Sequence, residues 1–179
     1  MGPDTALLFA NASFNWVPDH TALLPRLMRA LIPGGWLAVQ MPYQHGAPSH
    51  ALVHEIAHRL DPDAFPDTLA RPRVLTPCAY ADLLEPLGEV RIWKTEYLQR
   101  LGSEDEGHPV RRFTQSADLR PYLDHFTARG QGAEFLAAYD AALQEAYPFD
   151  EKGRVWFPFK RLFPDALQSL TLFRPAQAC

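Results

Sequence analysis

Two histidines one helical turn apart, with a glutamate beside the first, are the residues whose spacing most directly suggests chemistry. Residues 54–58 read His54-Glu55-Ile56-Ala57-His58. On a helix the side chains at i and i+4 share a face, so both imidazoles could bind zinc while Glu55 polarises a water for hydrolysis. His50 lies one turn earlier on that face. The extension found in one large group of zinc proteases fails here: Asp61 stands in place of a glycine and Ala64 in place of a third histidine. Glu85 or Glu89 would serve as a distant ligand by arithmetic alone. A zinc hydrolase is therefore the remote reading, adventitious metal binding by the three histidines is nearer, and no resident metal is expected. A second pattern, Gly130-Gln131-Gly132, follows residues 126–129, which read as helix, and Phe135 stands where a nucleotide loop wants a small residue. Phosphate-cradling glycines follow a strand, so these join two helices.

The elements that must position such residues alternate between strand and helix. Residues 5–11 form an apolar strand that runs into an Asn/Ser/Pro-punctuated loop. A helix over 19–31 follows, with Leu23, Leu24, Leu27 and Leu31 near helical spacing, Asp19 as N-cap and Pro33-Gly34-Gly35 as its stop. Residues 36–41 are a nearly continuous apolar strand, of the kind covered on both faces. Strand, helix, Gly-Gly turn, strand is a βαβ unit, and the fold class is α/β. In open sheets of this class the loops at the carboxyl ends of the strands build the ligand site.

Beyond this unit a helix is predicted near 49–60 and an irregular Pro- and Asp-rich connection over 61–77. A helix starting at Thr76-Pro77 and ending at Gly88 comes next. Alternation over 89–99 predicts a half-exposed strand, and 102–108 an acidic solvated loop. Helices near 110–115, 119–128 and 133–147 precede a last strand over 154–163. There Pro164, which cannot donate a ladder hydrogen bond, is expected to end the strand and leave a divergent tail over 164–179.

The totals bound the function. The 179 residues fit one domain's worth of core, and a net charge of −4 argues against a nucleic-acid partner. No apolar run approaches a membrane span and residues 1–10 lack the pattern of a secretion signal. The two cysteines, Cys78 and Cys179, make neither a disulfide framework nor a metal spacing, so a reduced, cytoplasmic protein is expected.

Nine short blocks then carry a resemblance. They are Asn11-Ala12-Ser13, Trp16, Pro18-Asp19-His20, Pro33 with Gly35, residues 38–42 (AVQMP), residues 92–95 (IWKT), residues 119–123 (LRPYL), Tyr147-Pro148, and Arg161-Leu162-Phe163. In these blocks and in their order the chain resembles class I S-adenosylmethionine (SAM)-dependent methyltransferases, in detail the trans-aconitate 2-methyltransferase family.

That resemblance implies a partial, Rossmann-like methyltransferase sheet of parallel type, with a helical substrate cap. Residues 1–101 would be the carboxyl half of the core, 102–153 the cap and 154–163 the last core strand. The first two strands would be the family's fourth and fifth, so the chain is expected to open halfway through that fold. The Gly-rich SAM loop and the carboxylate that holds the ribose would then fall outside it. By inheritance the activity is methylation of a carboxylate of trans-aconitate or a similar small polycarboxylate, with the isolated chain inactive. The resemblance places Asn11, Ala12 and Ser13 beside the methionine part of SAM. Trp16, His20, Arg120, Tyr122 and Arg161 would contact substrate, with Arg111 and Arg112 as nearby cations. No residue is expected to act as general base. The alternative reading is a non-catalytic assembly module that pairs with a separate amino-terminal SAM-binding half.

Overall fold

The structure, a computed structural model, describes residues 4–66, 74–102, 107–114 and 119–169. Parts of the expected connection (67–73), acidic loop (103–106) and tail (170–179), with Gln115 and Cys179, lie outside the described residues. The elements in chain order are β1 (Leu7–Asn11), α1 (His20–Arg29), β2 (Trp36–Pro42), α2 (Pro48–Leu60), α3 (Pro77–Leu84), β3 (Gly88–Gly102), α4 (Pro109–Thr114), α5 (Arg120–Ala128), α6 (Gly132–Ala146) and β4 (Arg154–Gln168). The four strands form one mixed sheet in the order β1-β2-β4-β3. β1 and β2 are parallel, with Leu7 beside Trp36 and Asn11 beside Gln40, as a βαβ unit requires. β4 enters antiparallel to β2, so the sheet is mixed and not parallel throughout.

The chain divides into two compact units. The first comprises residues 1–43, 72–96 and 160–179. Its core gathers Leu24 and Met28 of α1, Leu37, Val39 and Met41 of β2, Tyr80 and Leu84 of α3, and Leu162 and Ala166 of β4, all buried. Each fully buried aliphatic side chain contributes about 1.5–3 kcal/mol. The helices start where capping chemistry puts them. Asp19 accepts from the Ala22 N–H at 3.1 Å, and the Thr76 hydroxyl accepts from the Ala79 N–H at 3.2 Å just before Pro77. The carboxyl end of α1 gives way to Gly34, at a φ of 75° that suits glycine.

The second unit comprises residues 44–71 and 97–159. It therefore takes α2 together with α4, α5 and α6, whereas the resemblance implied that α2 belongs to the core half. Val53, Ile56 and Ala57 of α2 share an apolar cluster with Phe126, Phe135, Tyr139 and Leu143. Ala47 provides no side-chain cap for α2. Instead the Ser49 N–H donates to the Tyr147 hydroxyl at 3.2 Å, and the Tyr139 hydroxyl donates to the Ser49 carbonyl at 2.7 Å. Phe126 and Phe135 stack with centroids 4.7 Å apart.

One expectation is corrected outright: β4 does not stop at Phe163 but continues through Pro164 to Gln168. The ladder pairs Leu37 with Ala166 at one end and Met41 with Leu162 at the other. Counting between these pairs sets Val39 opposite Pro164. The Val39 N–H donates instead to the Asp165 carboxylate at 2.9 Å. The Val39 N–H is thus taken by a side chain beside the proline, and the strand continues past it.

Candidate functional site

The loop leaving β1 is held at several points by backbone and side-chain hydrogen bonds. Asn11, Ala12 and Ser13 stand exposed at the carboxyl end of β1. Ala12 turns the chain off the strand at a φ of 49°, and Asp19 enters α1 at a φ of 54°. These are the only non-glycine residues at positive φ among those described. Such conformations cost about 1 kcal/mol or more each and persist where the surroundings hold them. Here the Ala12 N–H donates to the Gln40 carbonyl at 2.9 Å, and a short turn closes between Phe14 and Val17. Asp19 accepts from both Thr21 and the Ala22 N–H, which, led by the Thr21 hydroxyl, hold its carboxyl below the usual range.

His20 pins the loop from beneath. It is 1% exposed, with Nδ1 at 2.5 Å from the Tyr80 hydroxyl and Nε2 at 2.8 Å from the Phe14 carbonyl. The carbonyl can only accept, so Nε2 carries the hydrogen and Nδ1 accepts from Tyr80. The Leu75 N–H in turn donates to the Tyr80 oxygen at 3.2 Å. Burial pushes the Tyr80 phenol up to about 12, so it remains a donor at any physiological pH. Both ring nitrogens of His20 are engaged, and this sequence-predicted substrate contact serves in the structure as scaffold for the loop. Trp16, on the same loop, is 54% exposed rather than packed in the core.

Across from Asn11 sits Gln40, and its Oε1 accepts from Arg161 Nη1 at 2.8 Å. The carboxyl ends of β1 and β2 thus meet a half-buried guanidinium from β4. No sequence argument singled out Gln40 as functional. The signal available was a lone amide inside the apolar run of residues 36–42.

The second unit holds the remaining expected contacts. Arg120 is largely exposed and lies 3.9 Å from Asp124, an i,i+4 surface pair. Tyr122 stacks on Phe65 at 5.1 Å, and its hydroxyl lies 3.4 Å from His54 Nδ1. Arg111 forms an ion pair with Asp140 at 2.7 Å, with its side chain 11% exposed. The histidines of the H-E-x-x-H pattern meet backbone: His54 Nε2 lies 3.1 Å from the Pro66 carbonyl and His58 Nδ1 2.7 Å from that of Phe65. Glu55 faces solvent. Among the described residues no group of three or more His, Cys, Asp or Glu side chains gathers as a metal would require. Nor is any helix among them long and apolar enough to cross a membrane.

Sequence comparison gives these features a context. The chain is 45% identical over 168 residues to a methyltransferase of Methylobacterium nodulans, a match that covers 90% of this chain. Proteins of Azoarcus and Rhizobium meliloti match at 40% over 167 residues and 39% over 171. The chain is thereby related by sequence to methyltransferases. All three of those relatives are named trans-aconitate 2-methyltransferase, and it is a portion of that family which this chain matches. It spans 62–65% of the length of these relatives. No protein-family model matches the chain.

Proposed function

We propose that these residues form the substrate side of a SAM-dependent carboxyl O-methyltransferase acting on trans-aconitate or a similar small polycarboxylate. The observation that carries this reading is the position of Arg161, a guanidinium held by Gln40 where the carboxyl ends of the first two strands meet. The names of the relatives supply the substrate class.

SAM supplies an activated methyl group on sulfur. The acceptor carboxylate is already ionised at neutral pH, so no side chain is needed as base. The work left to this chain is binding, alignment and exclusion of water. Arg161 grips a carboxylate through its planar fork of donors. The exposed Asn11, Ala12 and Ser13 offer side-chain and backbone groups to the methionine end of the cofactor, on a loop that His20 and Asp19 hold rigid. Trp16 presents an exposed indole beside that loop to shield the acceptor from water. Arg120 and Tyr122 are proposed as substrate contacts on the family resemblance alone. The fit to the cofactor extends to its methionine end only. Among the described residues no glycine-rich turn follows a strand: Gly34-Gly35 precedes β2, and Gly130 and Gly132 join α5 to α6.

A specific observation favours a second reading, an assembly module. β1 lies at an edge of the sheet and carries Leu7 at 59% and Phe9 at 69% exposure. Exposed apolar edges attract pairing and covering segments, and a separate SAM-binding half would provide one. Both readings are tested by supplying the SAM-binding portion of a relative, fused ahead of Asp4 or as a second chain, and following label from SAM into trans-aconitate. Transfer supports the enzyme reading; stable association without transfer supports the module.

A further inference from the structure

Gln40 is an amide in a strand whose neighbours Val39 and Met41 are buried hydrocarbon, and it is itself only 6% exposed. Its Oε1 accepts from Arg161 Nη1. A guanidinium has donors and no acceptor, so the amide has to face Arg161 with its oxygen. Nε2 is therefore turned away, and it is buried with no acceptor. An orphaned buried N–H costs free energy, and a native structure that keeps one calls for an explanation. Methionine, of nearly the same length, would fill the position without that cost. What methionine could not do is hold the guanidinium.

We propose that Gln40 is a positioning residue that aims Arg161 at the substrate carboxylate, an inference that rests on the reading of Arg161 as the anion contact. An arginine side chain loses considerable rotamer freedom when it is fixed. Anchoring one Nη before substrate arrives removes part of that loss from the binding step. The anchor also sets direction. Gln40 stands in register with Asn11, and its backbone carbonyl receives the Ala12 N–H. The residue that holds the proposed carboxylate clamp is therefore hydrogen-bonded through its backbone to the proposed cofactor loop. A shift of one is coupled to a shift of the other, and alignment of methyl donor and acceptor depends on both.

The test uses the 179-residue chain, with trans-aconitate as the probe and backbone-amide NMR shifts as the readout in every variant, joined by the Arg161 Nε–Hε signal where Arg161 is present, alongside thermal melts. Gln40→Met is expected to melt at or above the wild-type temperature while binding trans-aconitate about tenfold more weakly, the low end for one hydrogen bond to a charged group. Arg161→Ala is expected to abolish saturable binding. If Gln40→Met binds like wild type while Arg161→Ala does not, the positioning role is overturned and the clamp stands. If Gln40→Met melts well below wild type and its weaker binding tracks that loss, Gln40 is structural and the inference fails. If Arg161→Ala binds like wild type, or the wild type shows no saturable binding, the reading of Arg161 falls and this inference with it.

Discussion

Replacing Asp165 tests what its bond to the Val39 N–H contributes beside the internal proline of β4. In the structure the Val39 N–H, on a residue 1% exposed, has the Asp165 carboxylate as its acceptor at 2.9 Å. Asp165→Ala leaves that N–H unpaired inside the sheet, a loss of about 1–3 kcal/mol. At roughly 2–4 °C per kcal/mol for a chain of this size, a loss of about 2 kcal/mol lowers the melting temperature by about 4–8 °C. Asp165→Asn keeps an oxygen in place and should spare most of the loss. The pH dependence adds a second mark. Burial raises the Asp165 carboxyl above 3.8, with the Val39 N–H opposing in part. Between 3.8 and the higher folded value the unfolded chain releases its proton while the folded chain keeps it, so ionisation costs stability as pH rises through that window. The Asn variant does not titrate, and it should gain on wild type from about pH 4 upward. Circular-dichroism melts of the three proteins across this range decide the matter. An Ala variant as stable as wild type, or an Asn variant as damaged as Ala, would refute the substitution of side chain for ladder.

Two further outcomes follow from close packing and from burial. Gly88→Ala would place a Cβ 1.9 Å from the Leu167 carbonyl oxygen, a backbone atom that cannot swing aside. It should therefore cost at least about 2–3 kcal/mol in denaturant titrations. His108 is 3% exposed, with Nε2 at 3.0 Å from the Tyr147 carbonyl and Nδ1 accepting from the Val110 N–H at 3.3 Å at the start of α4. Desolvation is the largest influence on it and lowers its pKa below 6.5, with Arg111 adding to that and the Tyr147 carbonyl and Asp140 opposing. Its contribution is full above about pH 6.5 and is lost as pH falls through the lower folded value. His108→Gln, which does not titrate, should flatten that part of the stability–pH curve.

Local chemistry made much of this fold legible. The Asp19 and Thr76-Pro77 caps, the Gly34 stop and the apolar runs of β1 and β2 each act over a few residues, and the elements begin and end close to where they predict. Long-range compensation was not legible. That the strand would run past Pro164, with Asp165 accepting from the Val39 N–H, involves a residue 126 positions away. That α2 would join the second unit depends on Tyr139 and Tyr147 capping it from another helix and its end. The same limit applies to the site. Asn11 and Ser13 were singled out through the resemblance, and the structure shows them exposed at the carboxyl end of β1. A histidine is ambiguous in sequence, and only the contacts of His20 with Tyr80 and Phe14 show that both its nitrogens are engaged. Gln40 was visible as an oddity in an apolar strand, but its link to Arg161, 121 positions on, was not.

The measurement that bears most directly on the central claim is the identity of the methylated product. The chain, joined to the SAM-binding portion of a relative, would be given methyl-labelled SAM with trans-aconitate, citrate, a simple amine and a phenol as competing acceptors. The account predicts label in a methyl ester of trans-aconitate or another polycarboxylate, with the ester lost in the Arg161→Ala variant. Label in the amine or phenol with none in any carboxylate would contradict it, as would ester formation that Arg161→Ala leaves at full rate.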